Sequence, residues 1–296
     1  MESAETVVAA GTIDRSRVWM SIGVYILLTF ALSSFFYWKV IHAGSLEADH
    51  GLLVLGLMWS PGVSGLTTRL IFQGNLRGEG WGWGKTKYQL WSYLIPLIYA
   101  SIVYLPLWIA GGFNRENQIM TTLGSKMPQV PFIARELSYF GLIATLGLIG
   151  SCISALGEEL GWRGFLVPQL AKVTSFPAVG LISGGIWALW HVPLIVWADY
   201  RGAGPVWYSV TCFAVMVVGS AFLFAWMRLK SGSVWTGMLL HASHNLFIQS
   251  FFDTQTKHGK FADLWTTEFG AGLAIVGIVL AIVCYMKRGE LPVATA

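Results

Sequence analysis

The stretch Tyr139–Arg163 reads YFGLIATLGLIGSCISALGEELGWR. From Tyr139 to Leu156 it holds no charged residue, and then two carboxylates stand side by side, Glu158 and Glu159, with Arg163 four positions after the second. An uncharged run of this length suits a helix crossing a bilayer, which takes about 20 residues for ~30 Å of hydrocarbon. Ionisable groups are costly in that medium, so they are rare there and mostly functional. Working outward, His191 sits within the next apolar run, in WALWHVP, and His241 and Asn245 follow in HASHN inside another. These side chains are read as converging on one polar site in a membrane-embedded helical bundle.

Composition agrees. Of 296 residues 55% are hydrophobic and 11% charged, where an average soluble domain is about 25% charged. Mean hydropathy is +0.60. The net charge of +4 arises from scattered connector residues and not from a basic tail, which argues against nucleic acid as a partner. Cys152, Cys212 and Cys284 are far apart within apolar segments, so neither a disulfide framework nor a C-x-x-C metal knot is expected. The N-terminus starts acidic, and its first apolar run is too long for a cleavable signal peptide. That run is expected to remain as an anchor.

Eight spans are expected: Val18–Val40, Gly51–Phe72, Leu90–Gly111, Tyr139–Gly161, Phe176–Trp197, Trp207–Met227, Ser233–Phe252 and Phe269–Met286. The fourth has room to run on through Arg163 towards Pro168. Without water to satisfy the backbone, spans this long and continuous must be helices and not barrel strands. The expected class is all-α, a polytopic helical bundle with a polar, disordered tail at 1–17, one membrane domain at 18–288 and a short tail at 289–296. With the N-terminus inside, 12 Lys and Arg fall on the inner side and 7 on the outer, giving a multi-pass protein of the cytoplasmic membrane with both termini cytoplasmic. The glycine-rich GEGWGWGK (Gly78–Lys85) follows no strand and lacks the Ser/Thr of a phosphate loop. Its Trp81 and Trp83 read as interfacial aromatics. The polar Gly112–Pro131 connector is long enough for a lid.

On a helix Glu158 and Glu159 point ~100° apart. Glu159 and Arg163 make an i,i+4 pair in the favourable order, so Glu159 reads as structural support held by Arg163. Glu158 is then left without a local partner, free to act as base or ligand, although the spacing also allows Arg163 to reach it. Each group has an ordinary alternative: a solvated helix end for the carboxylates, a backbone-bonded core histidine for His191, a polar helix contact for His241, His244 and Asn245. Pro193 frees the carbonyl of Leu189 and is expected to kink or break its helix, as in helices that line cavities. The joint occurrence on three spans favours a catalytic set. A common depth requires the fourth span to continue past Arg163.

The motifs E-E-x-x-x-R (Glu158–Arg163), W-x-x-x-H (Trp187–His191) and H-x-x-x-N (His241–Asn245) resemble, in order and spacing, those of the CPBP family, the CAAX- and bacteriocin-processing (ABI) intramembrane proteases. Trp187 departs from the Phe usual there, and is read as a conservative change. The resemblance implies an eight-helix core and peptide-bond hydrolysis in a cavity open to the cytoplasmic side. It also implies Glu158, helped by His191, as the base activating water, with His241 and Asn245 donating to the oxyanion. Glu159 and Arg163 would support them, and His244 gets no role. No cofactor is expected; the rival is a catalytic zinc on Glu158, His191 and His241. The partners implied are the bilayer and a peptide or lipidated-protein substrate. Two other classes compete: a non-enzymatic scaffold or bacteriocin-immunity protein of the same fold, and an ion- or proton-coupled transporter. The latter would show repeats or paired broken helices, which the sequence lacks.

Overall fold

A computed structural model describes residues 13–292; the expected tails at 1–12 and 293–296 lie outside it. The first helix, α1 (Arg15–Ala43), starts earlier than the sequence suggests, because the Asp14 side chain accepts from the Arg17 N–H at 3.1 Å and caps it. Arg15 and Arg17, placed in the tail by composition, are therefore helical. Gly44 ends α1 in the left-handed region, φ 73°, where glycine carries no Cβ penalty.

Helices α2 (Leu52–Gln73) and α3 (Thr86–Leu107) follow, then a short amphipathic α4 (Gln118–Lys126) within the connector expected as a lid. One long helix then runs from Phe132 to Val173, built of α5 (Phe132–Leu142), α6 (Leu148–Glu159) and α7 (Val167–Val173) joined by π-turns at Ile143–Gly147 and Leu160–Leu166. It passes well beyond Arg163, as a common depth for the site requires. The chain continues through α8 (Phe176–Trp197), α9 (Val206–Ser231), α10 (Trp235–Asn245) with a π-turn at Leu246–Phe252, α11 (Lys260–Trp265) and α12 (Ala271–Met286). Pro193 lies inside α8 without breaking it, so the expected broken helix is not there.

Seven of these helices are long and apolar enough to cross a membrane. The eighth expected span is the helix Trp235–Phe252, whose His241, His244, Asn245 and Gln249 lower its hydropathy. Exposed Leu27, Ile102, Leu137, Ile149 and Ile278 belong to an apolar surface suited to lipid. The class is as expected: an all-α polytopic membrane bundle.

Helix pairing rests on close backbone approach at the site's own helix. A Cβ on Gly157 would meet Met58 O at 2.8 Å, one on Gly161 would meet Pro61 O at 2.5 Å, and one on Gly62 would meet Gly157 O at 2.4 Å. This is the small-residue packing of membrane helices, and it seats α2 directly against the turn that carries the two carboxylates.

The connectors sort into two faces. On one, Arg15 bonds Val173 O, Arg17 bonds Phe72 O, Val234 N–H bonds Gly80 O and Trp226 bonds Lys287 O. The GEGWGWG loop belongs here: Glu79 pairs with Arg69, Arg228 holds the carbonyls of Gly78 and Glu79, and Trp81 and Trp83 stay exposed. Burial pushes the Glu79 carboxyl above its ordinary range, and Arg69 only partly draws it back. On the opposite face Leu46 N–H bonds Asp199, Asn114 N–H bonds Gln255 O, and Tyr200 bonds Glu268.

Candidate active site

Glu158 is 1% exposed and lines a cavity of about 200 Å³. His191 from α8, and His241 and Asn245 from α10, line the same cavity. Four residues read from three separate spans thus meet at one place. The helix axis continues past them in both directions, which resolves the depth question that the sequence raised.

The supporting pair also forms. Arg163 donates to Glu159 Oε1 at 2.8 Å, and His241 Nδ1 meets the same oxygen at 3.0 Å. Glu159 is fully buried. Its second oxygen, Oε2, has no partner and lies under α10, where Gly237 leaves room: a Cβ there would come within 2.6 Å of it. The Arg163 guanidinium is sandwiched between the rings of Trp187 and Phe224, at 4.1 and 4.0 Å. Stacking of this kind suits a planar, weakly hydrated cation in an apolar site.

Hydrogen bonds set the histidines' orientation. His191 Nδ1 lies 2.9 Å from the Trp187 carbonyl. A carbonyl only accepts, so Nδ1 carries the proton and Nε2 holds the lone pair. His241 has Nδ1 occupied by Glu159, leaving its Nε2 unbonded among the described residues. A carboxylate behind a histidine fixes ring and tautomer.

Glu158 departs from expectation. It is not without a local partner: Oε2 accepts from Trp187 Nε1 at 2.8 Å and from Trp162 Nε1 at 3.2 Å. Trp187 is therefore no conservative stand-in for Phe, which has no N–H to give. Sequence reasoning missed Trp162 although it stands at i+4 from Glu158, a spacing that places both on one helix face.

It also missed a second polar cluster on the cavity wall. Glu268 accepts from Tyr200 and Gln249 at 2.7 and 2.9 Å and pairs with His244 at 2.9 Å, and Tyr99 bonds the other ring nitrogen of His244. Burial alone would raise the Glu268 carboxyl, but these donors, His244 first, hold it down at about 2. The preceding Thr267 takes φ 64°, a left-handed conformation uncommon for a β-branched residue. In the adjoining turn Asp253 is pushed up to about 7 by burial, against the Tyr104 hydroxyl that bonds it. His244 thus has defined partners, where the motif pattern gave it none.

The donor types Glu158, His191 and His241 match a zinc set, yet among the described residues no three His, Cys, Asp or Glu side chains are grouped to hold a metal ion. Two hydrogen bonds already occupy Glu158 Oε2. The arrangement does not fit the ion as it stands, and no step is derived through one.

The cavity is walled by Leu46 and Tyr200 from connectors and by Glu268, all on the face away from the described chain ends. A groove lined by Leu46, Glu47, His50 and Ser154 adjoins it through shared Leu46, Val54 and Met58. Asp49, His50 and Gly51 beside it have φ of 52°, 56° and 75°, three left-handed residues in a row. Termini inside and a mouth open to the cytoplasm, both expected, therefore exclude each other in this fold.

Fold and site together define a polytopic all-α membrane protein with a carboxylate–histidine cavity buried between its helices. Residues 140–247 match the family model of the type II CAAX prenyl endopeptidases, Rce1-like. The chain is similar to CAAX prenyl protease 2 of Methanococcus maripaludis, 31% identical over 99 residues, 32% of this chain and 36% of that protein. It is also similar to the uncharacterized protein YyaK of Bacillus subtilis, 26% identical over 135 residues, 45% of this chain and 42% of that protein. The chain thus spans about two fifths of the length of these relatives. The resemblance to the CAAX proteases carried by the three motifs is borne out, and the match covers every residue of those motifs.

Proposed function

We propose that the protein is an intramembrane endopeptidase of the CAAX-processing type, hydrolysing peptide bonds of membrane-associated peptides or lipidated proteins. The observation that carries this reading is the meeting of Glu158, His191, His241 and Asn245 in one cavity. Glu158 Oε1, free of protein partners, takes the proton of a water. His191 Nε2, with its Nδ1–H anchored on a carbonyl, orients that water and shares the proton. His241 and Asn245 present donors to the oxyanion of the tetrahedral intermediate, each worth roughly 3–4 kcal/mol if well placed. His241 supplies a proton from Nε2 only when both ring nitrogens are protonated, and Glu159 behind it stabilises that state. The proton held by Glu158 then passes to the leaving amine, which restores the site.

The non-enzymatic reading leaves the free Oε1 and the two free Nε2 atoms without a use, and for that reason we place it second. The test compares peptide termini in membranes carrying wild type or Glu158→Gln at matched expression. New termini only with wild type are expected; they also name the substrate. Termini equally abundant with the variant would remove Glu158 as the base.

A further inference from the structure

Glu158 is the one site carboxylate whose hydrogen bonds come from neutral donors. Glu159 has Arg163 and Glu268 has His244, but Glu158 has two indoles, both on Oε2. The two tryptophans reach it from different directions, Trp162 from the π-turn next in sequence and Trp187 from α8. Both are buried, 1% and 6% exposed. Trp187 does more than donate. Its carbonyl holds His191 Nδ1, its ring covers the Arg163 guanidinium at 4.1 Å, and its edge packs on His241 with centroids 5.5 Å apart. One residue thereby touches both members of the water-activating pair, the cation that holds Glu159, and a histidine of the oxyanion set.

We propose that Trp187 and Trp162 form an indole clamp, two positioning residues that fix Oε2 of Glu158 and turn Oε1 to the water. An indole has a single N–H and no acceptor, so it can neither take the proton from Glu158 nor compete with the water for it. A cation at this place would neutralise the carboxylate instead. The clamp also ties the base to His191 through one side chain, so that the two move together. The proposal rests on the reading of Glu158 as the base; the geometry of the clamp does not.

Two measurements separate these. In protein labelled with ¹⁵N at the indoles, the N–H resonances of Trp162 and Trp187 are assigned with Trp162→Phe and Trp187→Phe. A carboxylate is a stronger acceptor than a neutral amide, so Glu158→Gln should move both resonances upfield and leave the other indoles in place. This arm touches neither tryptophan and needs no activity. Unmoved resonances would overturn the clamp. In the second arm Trp187→Phe keeps the ring against Arg163 and removes only the N–H. It should lower kcat on the order of 10²-fold, the cost of misplacing a reacting group, with KM unchanged, and Trp162→Phe should cost less. Wild-type kcat in Trp187→Phe would overturn the positioning role. Full activity in Glu158→Gln with moved resonances would leave the clamp standing and remove the base assignment.

Discussion

Arg163 shows how much one side chain carries here. It pairs with Glu159, stacks between two aromatic rings and, through Glu159, sets His241. Removing one partner of a buried pair strands the other, at a cost of about 3–5 kcal/mol. Arg163→Ala should therefore lower both yield and thermal stability in detergent, besides activity. A variant as stable as wild type would mean that Glu159 finds water. At this scale the sequence was readable where charge stands out against hydrocarbon: Glu158, Glu159, Arg163, His191, His241 and Asn245 all have apolar neighbours along the chain. The indoles were not readable, because a tryptophan in an apolar helix looks like packing until its N–H is seen to face an acceptor. Glu268 was missed for the opposite reason. It sits in a connector, where a carboxylate is ordinary, and only the fold turns it inward.

Helix positions and lengths were legible from hydropathy, and their interruptions were not. Two of the π-turns begin directly after site residues, Glu159 and Asn245, as π-bulges at functional sites often do. The crossing of α2 on α6 was legible in principle as G-x-x-x-G at Gly157 and Gly161, but that spacing was overshadowed by the charges within it. Gly161→Ala should push backbone against Pro61 and destabilise the protein by about 1–3 kcal/mol, read as a fall in unfolding temperature; an unchanged value would show that α2 yields. The turn after the α10 helix offers a pH test. Asp253 sits at about 7, above its ordinary 3.8. The folded protein holds this proton where the unfolded chain has lost it. Stability is therefore full below pH 4 and falls as pH rises towards 7, by up to about 1.4 kcal/mol per unit. Glu268, at about 2 in place of 4.5, contributes above pH 4.5 and is lost only on going lower. Asp253→Asn should flatten the dependence between pH 5 and 7, and an unchanged slope would show that Asp253 is not its source.

The molecule as a whole presents a mouth on one face and its chain ends towards the other. Charge favours termini inside by 12 to 7, but Arg69, Arg163 and Arg228 are buried in the bundle. Without them the bias is nine to seven. We take the termini as cytoplasmic, so that substrates reach the cavity from the outer side. In a background with the three native cysteines replaced by serine, Glu47→Cys should react with an impermeant thiol reagent in intact cells. Lys287→Cys on the far face should react only after permeabilisation. The reverse pattern would bring the mouth into the cytoplasm.

The π-turn Leu160–Leu166 has a further meaning for this architecture. Such a turn is an α-helix that has absorbed one surplus residue. Excising a single position there would rewind the helix, rotating α7 by ~100° relative to the carboxylates. Arg15, which bonds Val173 O at the end of α7, would lose its partner at the first helix of the bundle. The reading frame of the helix, as much as the identity of its side chains, is thus under constraint: point changes around Glu159 can be absorbed locally, whereas a one-residue deletion would propagate to the N-terminal anchor.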